Sequence, residues 1–193
     1  DPVAAGEQTG WDGDYPAAAC EVIEAAVPNS FALYIPGPAG DQDPEGARGW
    51  ALRNKLGAQL GAAVVSAASA PGRSVTSSIM TSYQEVALPL DVTNTPANLA
   101  ALRTIYQARV TAAGLPSWYA RHAQAMIAKI DSGVIPTTVP LPVQVLKFQC
   151  SPALRICMTG GELVSGYAVY FRNQFGGTNG LLLGGYANET TCY

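Results

Sequence analysis

Stretches whose apolar residues recur every three or four positions alternate along this chain with short runs that are apolar throughout or alternate in polarity. That is the pattern of an α/β protein. Over residues 15–26, Ala18, Val22 and Ala25 share one side of an alanine-rich run that Pro28 ends, which predicts a helix. Residues 31–35 read as a short buried strand. Over residues 45–68, Trp50, Leu52, Leu56, Leu60, Ala63 and Val64 form a stripe that predicts a helix with one face on a sheet. Residues 74–90, rich in Ser, Thr and Val, are expected as one or two strands. Thr95 is the expected cap of a helix with Pro96 in its first turn, carried by Leu99, Leu102, Ile105 and Val110 to Gly114. A further helix opens at Pro116 and Ser117, runs through Ile130 and stops at Gly133. After a proline-rich connector (134–142) come two strands (143–149 and 154–158), a helix (162–175) and a last strand (181–186). The expected fold is a mixed α/β single domain, a mixed sheet with packed helices.

Composition narrows the functional classes. The chain has 193 residues, of which 13% are charged, and a net charge of -3, so neither disorder nor a nucleic-acid footprint is indicated. Arg48, Arg53 and Lys55 fall on one predicted helix and Arg103, Arg109, Arg121 and Lys129 on others, the spacing of solvated faces. No apolar run approaches the ~18 to 20 residues of a bilayer span, so no transmembrane segment is expected. The first sixteen residues lack the basic and apolar regions of a signal peptide, and any leader is expected to have been removed.

Four cysteines bear on the compartment. Cys150 and Cys157 flank a Ser151-Pro152 turn between strand-like runs, which makes a local Cys150–Cys157 bridge the expected one and leaves Cys20–Cys192 by elimination, although four cysteines allow three pairings. Buried thiols are the alternative. The bridges and a glycosylation triplet at Asn188, Glu189 and Thr190 point to a secreted or extracellular glycoprotein.

Candidate chemistry gathers where predicted strands empty into polar loops, the usual place for it in α/β folds. FALYIPGPAGDQDPE (31–45) ends in acids, LRICMTGGELVSGYAVYF (154–171) turns at Glu162, and GLLLGGYANETTCY (180–193) ends at Tyr193. An Asp41-x-Asp43-x-Glu45-Gly46 spacing matches half of an EF-hand loop, but Leu52 occupies the twelfth position and Pro44 interrupts it. Taken together, Gly40, Asp41, Gln42, Asp43 and Pro44, then Gly160, Gly161 and Glu162, then Gly185 to Asn188 and Tyr193 resemble the second half of the catalytic domain of the neutral/alkaline, non-lysosomal ceramidase family. The 86–92 run VALPLDV and the helix start after it also fit that layout. These are zinc-dependent amidohydrolases that cleave the N-acyl bond of ceramide.

The resemblance implies a zinc site with Glu162 and Tyr193 as metal ligands and Asp41 and Asp43 as catalytic loop residues, acting on an N-acyl lipid or related amide. Asp43 stands where the family's loop carries a serine important for activity. The family's zinc also needs two upstream histidines, whereas His122, expected as a structural helix residue, is the one histidine here. The resemblance therefore implies that a missing upstream segment or a companion chain completes the metal site, with this chain an incomplete portion of a larger catalytic domain. A non-catalytic extracellular structural or interaction protein on the same fold is the alternative. Glu162 itself has a second reading, as the acid that a helix N-terminus favours.

Overall fold

The computed structural model of the chain describes residues 2–4, 10–72, 74–75, 78–91, 94–175, 177 and 180–189. In chain order its elements are α1 (Asp14–Ala26), α2 (Trp50–Ala68), β1 (Ile79–Pro89), α3 (Pro96–Thr111), α4 (Ser117–Asp131), β2 (Thr138–Phe148), β3 (Leu154–Thr159), α5 (Ser165–Gln174) and β4 (Leu181–Gly184). The four strands form one mixed sheet in the order β1-β2-β3-β4. β2 and β3 are antiparallel, with Phe148 opposite Leu154, and β3 and β4 are parallel, with Cys157 opposite Leu183. The mixed α/β class follows as the sequence pattern predicts. The chain forms two compact units, one containing the residues up to Glu85 and from Pro142 onward, the other Val86–Leu141. Among the described residues no helix is long and apolar enough to cross a membrane.

In the first unit, glycines set how α1 and α2 meet. A Cβ at Gly57 would lie 2.3 Å from the Ala18 Cβ, and one at Gly61 would lie 2.6 Å from the Val22 Cβ, so the helices approach more closely there than any side chain allows. Arg53, one turn before Gly57, continues the buried face and pairs with Asp12 at 3.0 Å. Part of the expected apolar stripe turns outward instead, with Trp50 and Val64 both exposed. The first turn of α1 is anchored by Asp14, which is buried and accepts the backbone N–H groups of Val3 (3.0 Å), Ala4 (2.8 Å) and Tyr15 (2.7 Å). On the sheet, Leu181 and Leu183 are buried while Leu182 between them is exposed, the alternation that a pleated strand imposes.

Four expected boundaries are corrected. The helix expected from residue 45 begins at Trp50, because Gly46 and Gly49 take φ of 129° and 141°, which a right-handed helix does not admit. Residues 31–35 are not a buried strand: they join no ladder, and Phe31 and Leu33 are 82% and 79% exposed. The proline-rich connector is already strand from Thr138 onward, and α5 starts at Ser165, three residues after Glu162.

The second unit carries α3 and α4. Thr95 caps α3 by accepting the Asn98 N–H at 3.2 Å, with Pro96 in the first turn. Arg103 holds Asp131 through two bonds of 2.7 and 3.1 Å, and the ring of His122 meets Tyr106 edge-on at 5.8 Å. No residue of α3 is buried and only Ala123 of α4 is.

Candidate functional site

Three loop ends meet in the first unit. The turn after β3 receives the segment after β4 through backbone bonds from Tyr186 N–H to Gly161 O (3.0 Å) and from Ala187 N–H to Thr159 O (3.0 Å). Gly161 N–H returns a bond to Glu189 O at 3.2 Å. The 36–41 loop joins them through Gly185 N–H to Pro36 O (2.9 Å) and Gly40 N–H to Leu163 O (2.8 Å). Glycine is needed where these backbones pass: a Cβ on Gly160 would lie 2.7 Å from Glu189 O and 2.8 Å from the Pro142 ring. Tyr186 and Asn188 both take the left-handed conformation, with φ of 54° and 66°. A non-glycine residue persists there only when its surroundings fix it, as the four bonds to this segment do.

Asp41 crosses from the first loop to α5. Its carboxylate accepts both the backbone N–H and the hydroxyl of Ser165, each at 2.7 Å. Val164, at the N-cap position, contributes no side-chain cap, so Asp41 performs that function from a distant part of the chain. These two bonds from Ser165 hold the Asp41 carboxyl below its ordinary range.

Glu162 lies between the other two loops. Glu162 is exposed; the Tyr186 hydroxyl donates to its Oε1, and a Cβ on Gly40 would come within 2.9 Å of its Cγ. α5 begins at Ser165, three residues after Glu162, and the acid that caps it is Asp41.

The other expected residues divide. Asp43 is exposed and forms a two-pronged ion pair with Arg48 at 2.6 and 2.9 Å. Tyr193 and Cys192 lie outside the described residues, as does Thr190 of the glycosylation triplet. Cys20, Cys150 and Cys157 are free thiols, so the expected Cys150–Cys157 bridge is not formed. The register explains why: Cys157 stands opposite Val145, well back along β2 from Cys150, whose Sγ instead meets the carbonyl of Pro152 at 3.3 Å.

A zinc centre takes three or four protein donors. Among the described residues no three metal-ligating His, Cys, Asp or Glu side chains come together. Glu162, bonded by the Tyr186 hydroxyl, is a lone exposed carboxylate at this junction and does not make such a centre with the described residues. Two residues that complete the geometry, Ser165 and Tyr186, escape a sequence reading because their partners are 124 and 24 positions away. The glycine before each polar turn was the available signal. Comparison with protein-family models, with curated proteins and with solved structures returns no match for this chain.

Proposed function

We propose that the junction of the 36–41, 159–165 and 185–189 segments is one wall of the active site of a ceramidase-like amidohydrolase that cleaves an N-acyl lipid or related amide. The observation that carries this reading is the placement of Glu162: an exposed carboxylate delivered by a strand-to-helix turn and bonded by the Tyr186 hydroxyl, with the cap of α5 supplied by Asp41 instead. In this reading Glu162 and Tyr193 are two ligands of a zinc ion, and a preceding segment or companion chain contributes the others. Zinc, when bound, supplies Lewis-acid polarisation of the amide carbonyl and makes water acidic enough to attack at neutral pH. The chain's own residues present and orient: Tyr186 fixes one oxygen of Glu162, and Asp41 locks the start of α5 beside it. Asp43, paired with Arg48, holds its loop rather than replacing the hydroxyl of a serine.

Support for a companion segment comes from uncovered apolar side chains in the same unit. Phe31, Leu33 and Ile35, which lead into the 36–41 loop, and Val169 and Tyr170 on α5 are all more than half exposed. Apolar surface of this kind beside a polar site marks an interaction face. A second reading, a non-catalytic extracellular interaction protein, is favoured by one observation: Asp41, Asp43 and Glu162 all have partners within the chain.

Hydrolysis of fluorogenic N-acyl amides, including a ceramide analogue, by the intact natural protein separates the two. The enzyme reading expects turnover that falls by more than about a hundredfold in Glu162→Gln, beyond what loss of an outer-shell partner gives. Absence of turnover with every acyl amide supports the interaction protein.

A further inference from the structure

We propose that one side of the α3–α4 hairpin is a docking face for an anionic bilayer surface, a role independent of the reading of Glu162. On α3, Leu102, Ile105 and Arg109 follow one another at three and four positions and form a stripe; on α4, Trp118, His122 and Lys129 do the same at four and seven. Two ring contacts bring these stripes to the same side of the hairpin. The ring of His122 meets Tyr106 edge-on at 5.8 Å, and the Arg109 guanidinium lies over the Tyr106 ring at 5.4 Å from its centre. All six stripe residues are exposed, with Ile105 at 49% and Trp118 at 54%. Trp118 stacks on Tyr119 at 4.0 Å, which holds the indole in place at the edge of the face.

Charge divides the hairpin in the same way. Residues 94–134 hold four basic residues, Arg103, Arg109, Arg121 and Lys129, against one acid, Asp131, in a chain whose net charge is -3. Asp131 is taken by Arg103 on the opposite flank, and among the described residues Arg109, Arg121 and Lys129 form no ion pair. Unpaired cations interleaved with Trp, Leu and Ile match the chemistry of an anionic bilayer interface. There indole rings sit at headgroup level, and Lys and Arg lay their stems along apolar surface while their charges stay in water. A protein partner fits less well, because the buried centre of a protein interface is poor in lysine and Lys129 would be drawn into it. Neither helix is long and apolar enough to cross a membrane, so the hairpin rests on the surface.

The test is sedimentation of the intact natural protein with vesicles of phosphatidylcholine alone and of phosphatidylcholine mixed with phosphatidylserine, together with a melting curve for each variant. Binding is expected on the mixed vesicles, weak on phosphatidylcholine alone, and falling as salt is raised. A basic residue near an anionic surface is worth about fivefold in partition, so Arg109→Gln combined with Lys129→Gln should lower binding about 25-fold with the fold intact. Lys55→Gln removes an exposed charge from α2 instead and should change little. Glu162→Gln should bind vesicles as the wild type does, so failure of this proposal and failure of the proposed activity are read separately. Three results would overturn the docking face: no sedimentation with the anionic vesicles, a double variant that binds like the wild type, or Lys55→Gln that loses as much as the double variant. A dimer in gel filtration that the double variant abolishes, without vesicle binding, would give the face to a second copy of this chain and overturn the proposal as well.

Discussion

Asp41 and Ser165 are 124 positions apart and joined by two hydrogen bonds of 2.7 Å, so the N-terminus of α5 is capped by a loop from the far end of the same unit. Replacing Asp41 with Ala is expected to lower the melting temperature and to loosen α5 first, seen as faster amide exchange at its first turn. Asp41→Asn, which keeps an acceptor oxygen, is expected to retain much of the cap.

The same pair sets a pH dependence. Because Ser165 holds the Asp41 carboxyl below its ordinary value, this group contributes stability that is fully present above the unfolded carboxyl pKa of about 3.9 and is lost as pH falls through the lower folded value. Urea midpoints of wild type and Asp41→Asn should therefore differ by a constant amount above about pH 5 and converge as the pH is lowered below about 4. A gap that widens toward acid would contradict the assignment.

Asp14 offers a buried counterpart. Burial by itself raises its carboxyl pKa, but the N–H groups of Ala4, Tyr15 and Val3 and the charge of Arg53 outweigh that and leave it lowered. Asp14→Ala leaves the buried N–H groups of Val3 and Ala4 without their acceptor and is expected to cost about 2–3 kcal/mol in urea denaturation.

Close approach of α1 and α2 decides the sign of a third substitution. Alanine for Gly57 gains about 1 kcal/mol in helix propensity but places a Cβ 2.3 Å from that of Ala18, and overpacking of that kind costs about 1–3 kcal/mol. Net destabilisation is expected for Gly57→Ala, whereas Gly166→Ala, where a Cβ meets nothing within 4 Å, should be tolerated.

These sites show what the sequence could reveal. Thr95 and Pro96 announce the start of α3 because a cap and a first-turn proline act within four residues. Local signals also placed α1, α4, β3 and β4 close to where they lie. Gly57 and Gly61 read as weak points in a helix, and only the partner helix shows that they form its buried face. Phe31 and Leu33 read as core because they are apolar, yet this unit leaves them exposed. Glu162 was visible as an acid after two glycines, but its separation from the helix cap depends on Asp41, which no spacing rule connects to Ser165.

The thiols make a chemical prediction. Alkylation of native protein without reductant should label both Cys150 and Cys157, the latter more slowly because burial raises its thiol pKa. A peptide map containing a Cys150–Cys157 crosslink would contradict the register of β2 and β3.

Zinc content of the intact natural protein, purified without added metal, tests the central claim most directly. The account expects about one zinc per chain, lost on Glu162→Gln while the variant still melts cooperatively. Protein with no bound zinc, or zinc retained at full stoichiometry in Glu162→Gln, would contradict it.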